Sequence, residues 1–172
     1  MPEPPTLNQC VEVGDNAQWV LSSARMDSGV TQLRDSNFET YWQSDGVQPH
    51  TITLYFSTVT ELKWLALYLD YEHDESYTPQ RVTVHAGTTL ASLNLVTRQE
   101  FSEPQGWVYL DLADATRHPI RAFILQLTIH SNFHYGKDCH IRQMKVYSPR
   151  KVLFLDKMPY TSLQFNMGSH IR

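Results

Sequence analysis

The sequence predicts an all-β protein, a β-sandwich of the jelly-roll type. Three observations carry that expectation. Six or more short segments alternate or run apolar, polar loops separate them, and no segment sustains a long 3.6-residue apolar period. With 172 residues the chain has length for one well-cored domain and short extensions. The expected boundaries are a flexible lead-in at 1–8, the sandwich at 9–150 and a flexible tail at 151–172.

The elements follow in order. Short helical pieces are expected at Val11–Gln18, Val30–Arg34 and Thr89–Leu95. In the stretch from Gln32 to His50, Trp42 is suited to plug one end of the core. Asp35, Thr40 and Asp45 offer short oxygen-bearing side chains that satisfy turn backbone. Thr51–Phe56 alternates, with Ile52, Leu54 and Phe56 on one face. Lys63–Asp70 is apolar on both faces, as a central strand covered on each side would be. Arg81–Ala86 sets Val82 and Val84 against Arg81, Thr83 and His85. Trp107–Leu112 sets Val108, Leu110 and Leu112 against Trp107, Tyr109 and Asp111. Ile120–Ile129 places Phe123, Leu125, Leu127 and Ile129 together, and Ile141–Tyr147 supplies one more strand. The break Ser148-Pro149-Arg150 closes the domain, with Val152–Phe154 as a further strand or surface segment.

Composition narrows the function classes. Hydrophobic residues make up 41% and charged residues 19%, ordinary for a soluble globular protein. A formal net charge of −4 argues against a nucleic-acid partner, which calls for a basic field. No apolar run approaches the roughly 20 residues of a membrane span. The start, MPEPPTLNQC, lacks the apolar region of a signal peptide. Cys10 and Cys139 read as reduced thiols, and there is no Asn-X-Ser/Thr sequon. The expected compartment is cytosol or nucleus.

Catalytic signatures are absent: no Gly-X-Ser-X-Gly, no P-loop, no His-Glu-X-X-His and no paired-cysteine zinc pattern. Cys139 and His140 are neighbours on a strand, so their side chains point apart and make a poor nucleophile–base pair. The acidic run Asp70, Glu72, Asp74 and Glu75 reads as a solvated loop face. A second cluster, His130, Asn132, His134, Lys137, Asp138, His140 and Arg142, joins two strands near one end of the sandwich. Alternation puts His140 and Arg142 on the face that continues as Met144 and Val146, toward its mouth. The spacing of this cluster matches no strong metal pattern, so a ligand-facing or merely solvated loop is expected and no metal or cofactor. The end of the chain, Ile171-Arg172, offers a receptor an apolar side chain, a guanidinium and a carboxylate.

Several ordered blocks closely resemble the DOC-domain family: Trp19–Ser23, Gln32–Asp35, Glu39–Gly46, Gln48–His50, Asp74–Pro79, Arg142-Gln143 and the terminal Ile171-Arg172. The resemblance implies a galactose-binding-like jelly roll. It also implies a non-catalytic subunit of the anaphase-promoting complex, a cullin–RING ubiquitin ligase of the nucleus and cytoplasm. Such a domain acts with a WD40 coactivator as co-receptor for destruction-box substrates and raises processive ubiquitination in the cell cycle. Carried onto this chain, Ile171 and Arg172 dock on a tetratricopeptide-repeat subunit. The degron-facing residues become Ser76, Tyr77, Thr78, Asn132, His134, Gly136, Asp138 and His140, with Arg142 either joining them or buried beneath. Phe133 and Tyr135 depart from the family's usual polar loop. Two other classes compete. One is a carbohydrate- or small-ligand-binding jelly roll that stacks a sugar on Trp42, Tyr77 or Tyr135 and uses Asp45 or Asp138 for hydroxyls or calcium. The other is a metal-assisted hydrolase using His130, His134 and His140.

Overall fold

Alternating apolar residues pair into antiparallel strands, and the polar stretches between them turn the chain back. A computed structural model of the chain describes residues 7–151. In chain order its elements are β1 (Cys10–Glu12), β2 (Ala17–Leu21), α1 (Val30–Arg34), β3 (Trp42–Gln43), β4 (His50–Leu62) and β5 (Trp64–Asp70). Then come α2 (Tyr71–Asp74), β6 (Pro79–Gly87), β7 (Asn94–Glu100), β8 (Gln105–Asp111), β9 (Ile120–Asn132), β10 (His140–Ile141) and β11 (Gln143–Pro149). A four-stranded sheet runs β1-β11-β5-β8, a five-stranded sheet runs β2-β4-β9-β6-β7, and β10 pairs with β3. The expected all-β sandwich is what forms.

Between the sheets lie the inward residues of both. Leu65, Leu67, Leu69, Met144 and Val146 face Ile52, Leu54, Val82, Val84, Leu125, Leu127 and Ile129, all fully or nearly fully buried. Trp42 closes the core, wholly buried, its indole N–H donating to the Ser23 carbonyl at 2.9 Å. β5 is internal in its sheet, as expected, and its outward Tyr68 is covered by Phe38, the rings stacked at 4.2 Å. The Asp35 turn is also as expected: the carboxylate accepts from the Asn37 N–H at 2.8 Å and the Thr40 hydroxyl at 2.6 Å.

Four expectations need correction. Val11–Gln18 is not helical: Gly14–Asn16 makes one 3-10 turn between β1 and β2, whose backbones pair with β11 and β4 instead. Thr89–Leu95 holds one 3-10 turn, Leu90–Ser92, before the edge strand β7 begins at Asn94. Phe123 is only half buried, because a register shift in β4 between Tyr55 and Thr60 changes the phase of β9, turning Ala122 inward. The last residues of the lead-in are not free: Leu7–Gln9 form a 3-10 turn, and the Gln9 carbonyl accepts from the Arg150 N–H at 2.7 Å. The tail at 152–172, with Val152–Phe154, Ile171 and Arg172, lies outside the described residues.

Candidate functional site

At one end of the sandwich β5 runs out into residues 71–78 and β9 into residues 133–139, and the two loops pack back to back. An added Cβ at Gly136 would lie 1.8 Å from the Ser76 carbonyl oxygen, so only glycine permits this approach. Across the join, the Phe133 N–H donates to the Thr78 carbonyl at 3.0 Å, and the Tyr71 hydroxyl meets His134 Nε2 at 2.8 Å.

Side chains from beneath then fix the outer loop by its carbonyls. Asn132 Nδ2 donates to Asp138 at 2.7 Å and Gly136 at 3.3 Å. Gln48 Nε2 donates to Gly136 at 2.8 Å and Lys137 at 3.2 Å, and His50 Nε2 donates to Lys137 at 2.6 Å. Ser44 Oγ accepts the Cys139 N–H at 2.8 Å. So held, the loop carries two consecutive left-handed residues, His134 at φ 50° and Tyr135 at φ 58°. That backbone costs about 1–3 kcal/mol per residue and persists only where surroundings over-determine it. It turns Tyr135 outward, fully exposed. Beside the loop lies a cleft of about 610 Å³ lined by Gln48, Arg81, Asn132, His134, Tyr135 and Gly136 among others.

Beneath the other loop is a buried ion cluster. Arg142 grips Asp74 with two parallel bonds, Nε to Oδ2 and Nη2 to Oδ1, each 2.9 Å. His140 Nδ1 donates to Asp74 Oδ1 at 3.1 Å, and Arg142 Nη1 donates to the Phe38 carbonyl at 2.6 Å. The His140 ring sits between Tyr41 and Tyr77, at 4.0 and 4.2 Å between centroids. Burial by itself would raise the Asp74 carboxyl. The bonds from His140 and Arg142 and the guanidinium charge outweigh it and hold Asp74 below the usual carboxylate range. Asp74 is therefore not the solvated residue that its acidic run suggests. It is the counter-ion of Arg142 and the acceptor of the His140 ring N–H, two side chains that alternation had placed on the inward face.

The residues singled out in sequence thus gather at one end but divide by accessibility. Tyr77 and His134 are exposed, while Ser76, Gly136 and Asp138 are half buried. Thr78, Asn132, His140 and Arg142 are buried, so His140 and Arg142 lie deeper than the mouth where the sequence placed them. Sequence reasoning missed Tyr41, Asp74, Gln48 and Tyr71. One signal was available for Asp74: an inward Arg142 demands a buried carboxylate.

Trp42 has no exposed face for a sugar, and one face of Tyr77 is taken by His140. His130, His134 and His140 bond separately to Thr83, Tyr71 and Asp74. Among the described residues no three ligand-type side chains converge. Cys10 and Cys139 are free, and full burial pushes the Cys139 thiol well up, away from nucleophilic use.

The model of the family "Anaphase-promoting complex, subunit 10" matches residues 4–170. The chain is 43% identical over 162 residues to anaphase-promoting complex subunit 10 of Bos taurus, covering 94% of this chain and 88% of that one. The Schizosaccharomyces pombe protein of that name is 40% identical over 166 residues, with the same coverage. Anaphase-promoting complex subunit DOC1 of Saccharomyces cerevisiae is 30% identical over 154 residues, covering 83% of this chain and 62% of that one. Among solved structures, the family 32 CBM from C. perfringens NanJ in complex with galactose matches with TM-score 0.67 at 14% identity, covering 81% of this chain and 99% of that one. That likeness concerns the fold alone, and it agrees with the expected galactose-binding-like jelly roll. The chain belongs to the anaphase-promoting complex subunit 10 family.

Proposed function

We propose that this chain, by family a subunit of the anaphase-promoting complex, catalyses nothing and presents its loop end to destruction-box substrates together with a WD40 coactivator. The observation that carries the reading is the joined pair of loops. Residues 71–78 and 133–138 lock together through Gly136 and hold an exposed tyrosine on a strained, over-determined backbone beside a cleft. Such an arrangement serves recognition: rigid aromatic and hydrogen-bonding groups bind without a large ordering cost. Tyr135, Tyr77, His134, Ser76, Asp138 and the Gly136 backbone are the contacts. Thr78, Asn132, His140 and Arg142 set their positions from below.

A degron held weakly here and weakly on the coactivator is held bivalently, and the gain falls mainly on the off-rate. Longer residence near the ligase centre allows more ubiquitin transfers per encounter. Ile171 and Arg172 tether the chain to a tetratricopeptide-repeat subunit, and the complex works in nucleus and cytoplasm. The test is a reconstituted ubiquitination assay with the double variant Tyr77→Ala/His134→Ala. Expected are fewer ubiquitins per encounter, unchanged incorporation of the subunit, and no difference for a substrate lacking its destruction box. Full processivity in the variant would refute the assignment.

A further inference from the structure

A second surface adjoins the loop end. On the outer face of the five-stranded sheet, β6 and β7 set Arg81 opposite Glu100, Thr83 opposite Arg98 and His85 opposite Leu95. With His130 of β9 these residues line a cleft of about 740 Å³. Arg81 is oriented by its Nε bond to Ser131 Oγ at 3.0 Å, and Thr83 Oγ1 meets His130 Nε2 at 2.8 Å. Among the described residues, neither Arg81 nor Arg98 has a carboxylate oxygen within 4.0 Å. Glu100 is the one acid among the cleft residues. The chain as a whole carries −4, so this positive strip runs against the overall balance. Desolvation first, then the charges of His130 and Arg98, lower the pKa of His85, consistent with a positive local field.

Two geometric facts point to an occupant. Arg81 and Arg98 are diagonal neighbours on one face, a separation of about 7–8 Å between such positions. Side chains two residues apart on an extended peptide are about 7 Å apart and point the same way. Arg81 and Glu100 also line the 610 Å³ cleft at the loop end, so the two clefts share a wall. We infer that the outer face of β6, β7 and β9 is a docking groove for an extended peptide carrying carboxylate side chains at alternate positions, the acidic flank of a segment held at the loops. Its identification as the flank of a degron rests on the function proposed above; the charge preference of the groove does not.

The test uses the full chain and two fluorescein-labelled peptides, one alternating serine with glutamate and one alternating serine with glutamine, read by fluorescence anisotropy. Two exposed guanidinium–carboxylate contacts should favour the glutamate peptide by about twofold to thirtyfold at low salt. High salt should erase the preference. Arg98→Glu, at an exposed position, should abolish it with the melting temperature unchanged, while Met26→Ser, exposed and away from both clefts, should leave it intact. Equal binding of both peptides, or an undiminished preference in Arg98→Glu, overturns the groove. A lost groove with destruction-box processivity still dependent on Tyr77 and His134 leaves the loop reading standing. The reverse result separates the two in the other direction.

Discussion

Replacing Asp74 with alanine strands Arg142. The Arg142 side chain is 9% exposed and that of Asp74 5%, so little water can take the place of the lost carboxylate. The variant deletes both 2.9 Å bonds to Arg142 and the 3.1 Å bond from His140, leaving the guanidinium its single bond to the Phe38 carbonyl. Summing three charge-assisted bonds at about 1.5–3 kcal/mol each would exceed what such deletions yield, because bonds within one network are not additive. Breaking a buried pair by removing one partner costs about 3–5 kcal/mol. For a chain of 172 residues, each kcal/mol moves the midpoint by about 2–4 °C, so the melting temperature should fall by about 6–20 °C. Scanning calorimetry at neutral pH reads this directly. The double variant Asp74→Leu/Arg142→Met removes both charges and should be less destabilised than Asp74→Ala. A loss below about 1 kcal/mol in the single variant, the level of an exposed pair, would refute the buried-cluster account.

Acid provides an independent check on the same cluster. A carboxyl whose folded pKa lies below its unfolded value contributes stability that is complete above the unfolded value and lost as pH falls through the folded one. Below about pH 4 the wild type should therefore lose more stability than Asp74→Ala, and the two melting curves should converge. Gly136→Ala forces its Cβ against the Ser76 backbone, so the loops must part; a cost of about 1–3 kcal/mol and faster hydrogen exchange in residues 133–138 are expected. Tyr135→Ser touches no packed surface and should change stability by less than about 0.5 kcal/mol. If Tyr135 contacts the degron, the same variant should lower destruction-box crosslinking to the subunit.

The long strands were legible because each keeps one apolar face over several residues: Ile52 and Leu54, Val82 and Val84, Leu125 and Leu127 are all core residues. Strands β3 and β10, of two residues each, carry no period to read. β7 was hidden by its bulge opposite Val84 and His85, which interrupts its alternation. Asp74 was opaque for another reason: its partners lie 66 and 68 residues away, and no local pattern marks a contact at that distance. Gln48 is similar, since its role is to grip the carbonyls of a loop 88 residues on.

Identity alone also blends two kinds of site residue that the structure separates. Asn132 looks like a ligand-contacting amide in a polar loop, yet it is buried and spends its amide protons on Gly136 and Asp138. An Asn132→Ala variant with poor processivity would therefore mean only that the loop had lost its anchor. A change at Tyr135 removes an exposed group and leaves those anchors in place, whereas Tyr77 also stacks on His140 and His134 also bonds Tyr71. If the loop end recognises substrate, Tyr135→Ser must lower processivity at an unchanged melting temperature. The Tyr77 and His134 variants must lower it further than their loss of stability explains, while the buried variants lower both together. A surface whose exposed variants are silent would reduce the locked loops to a structural corner of the sandwich.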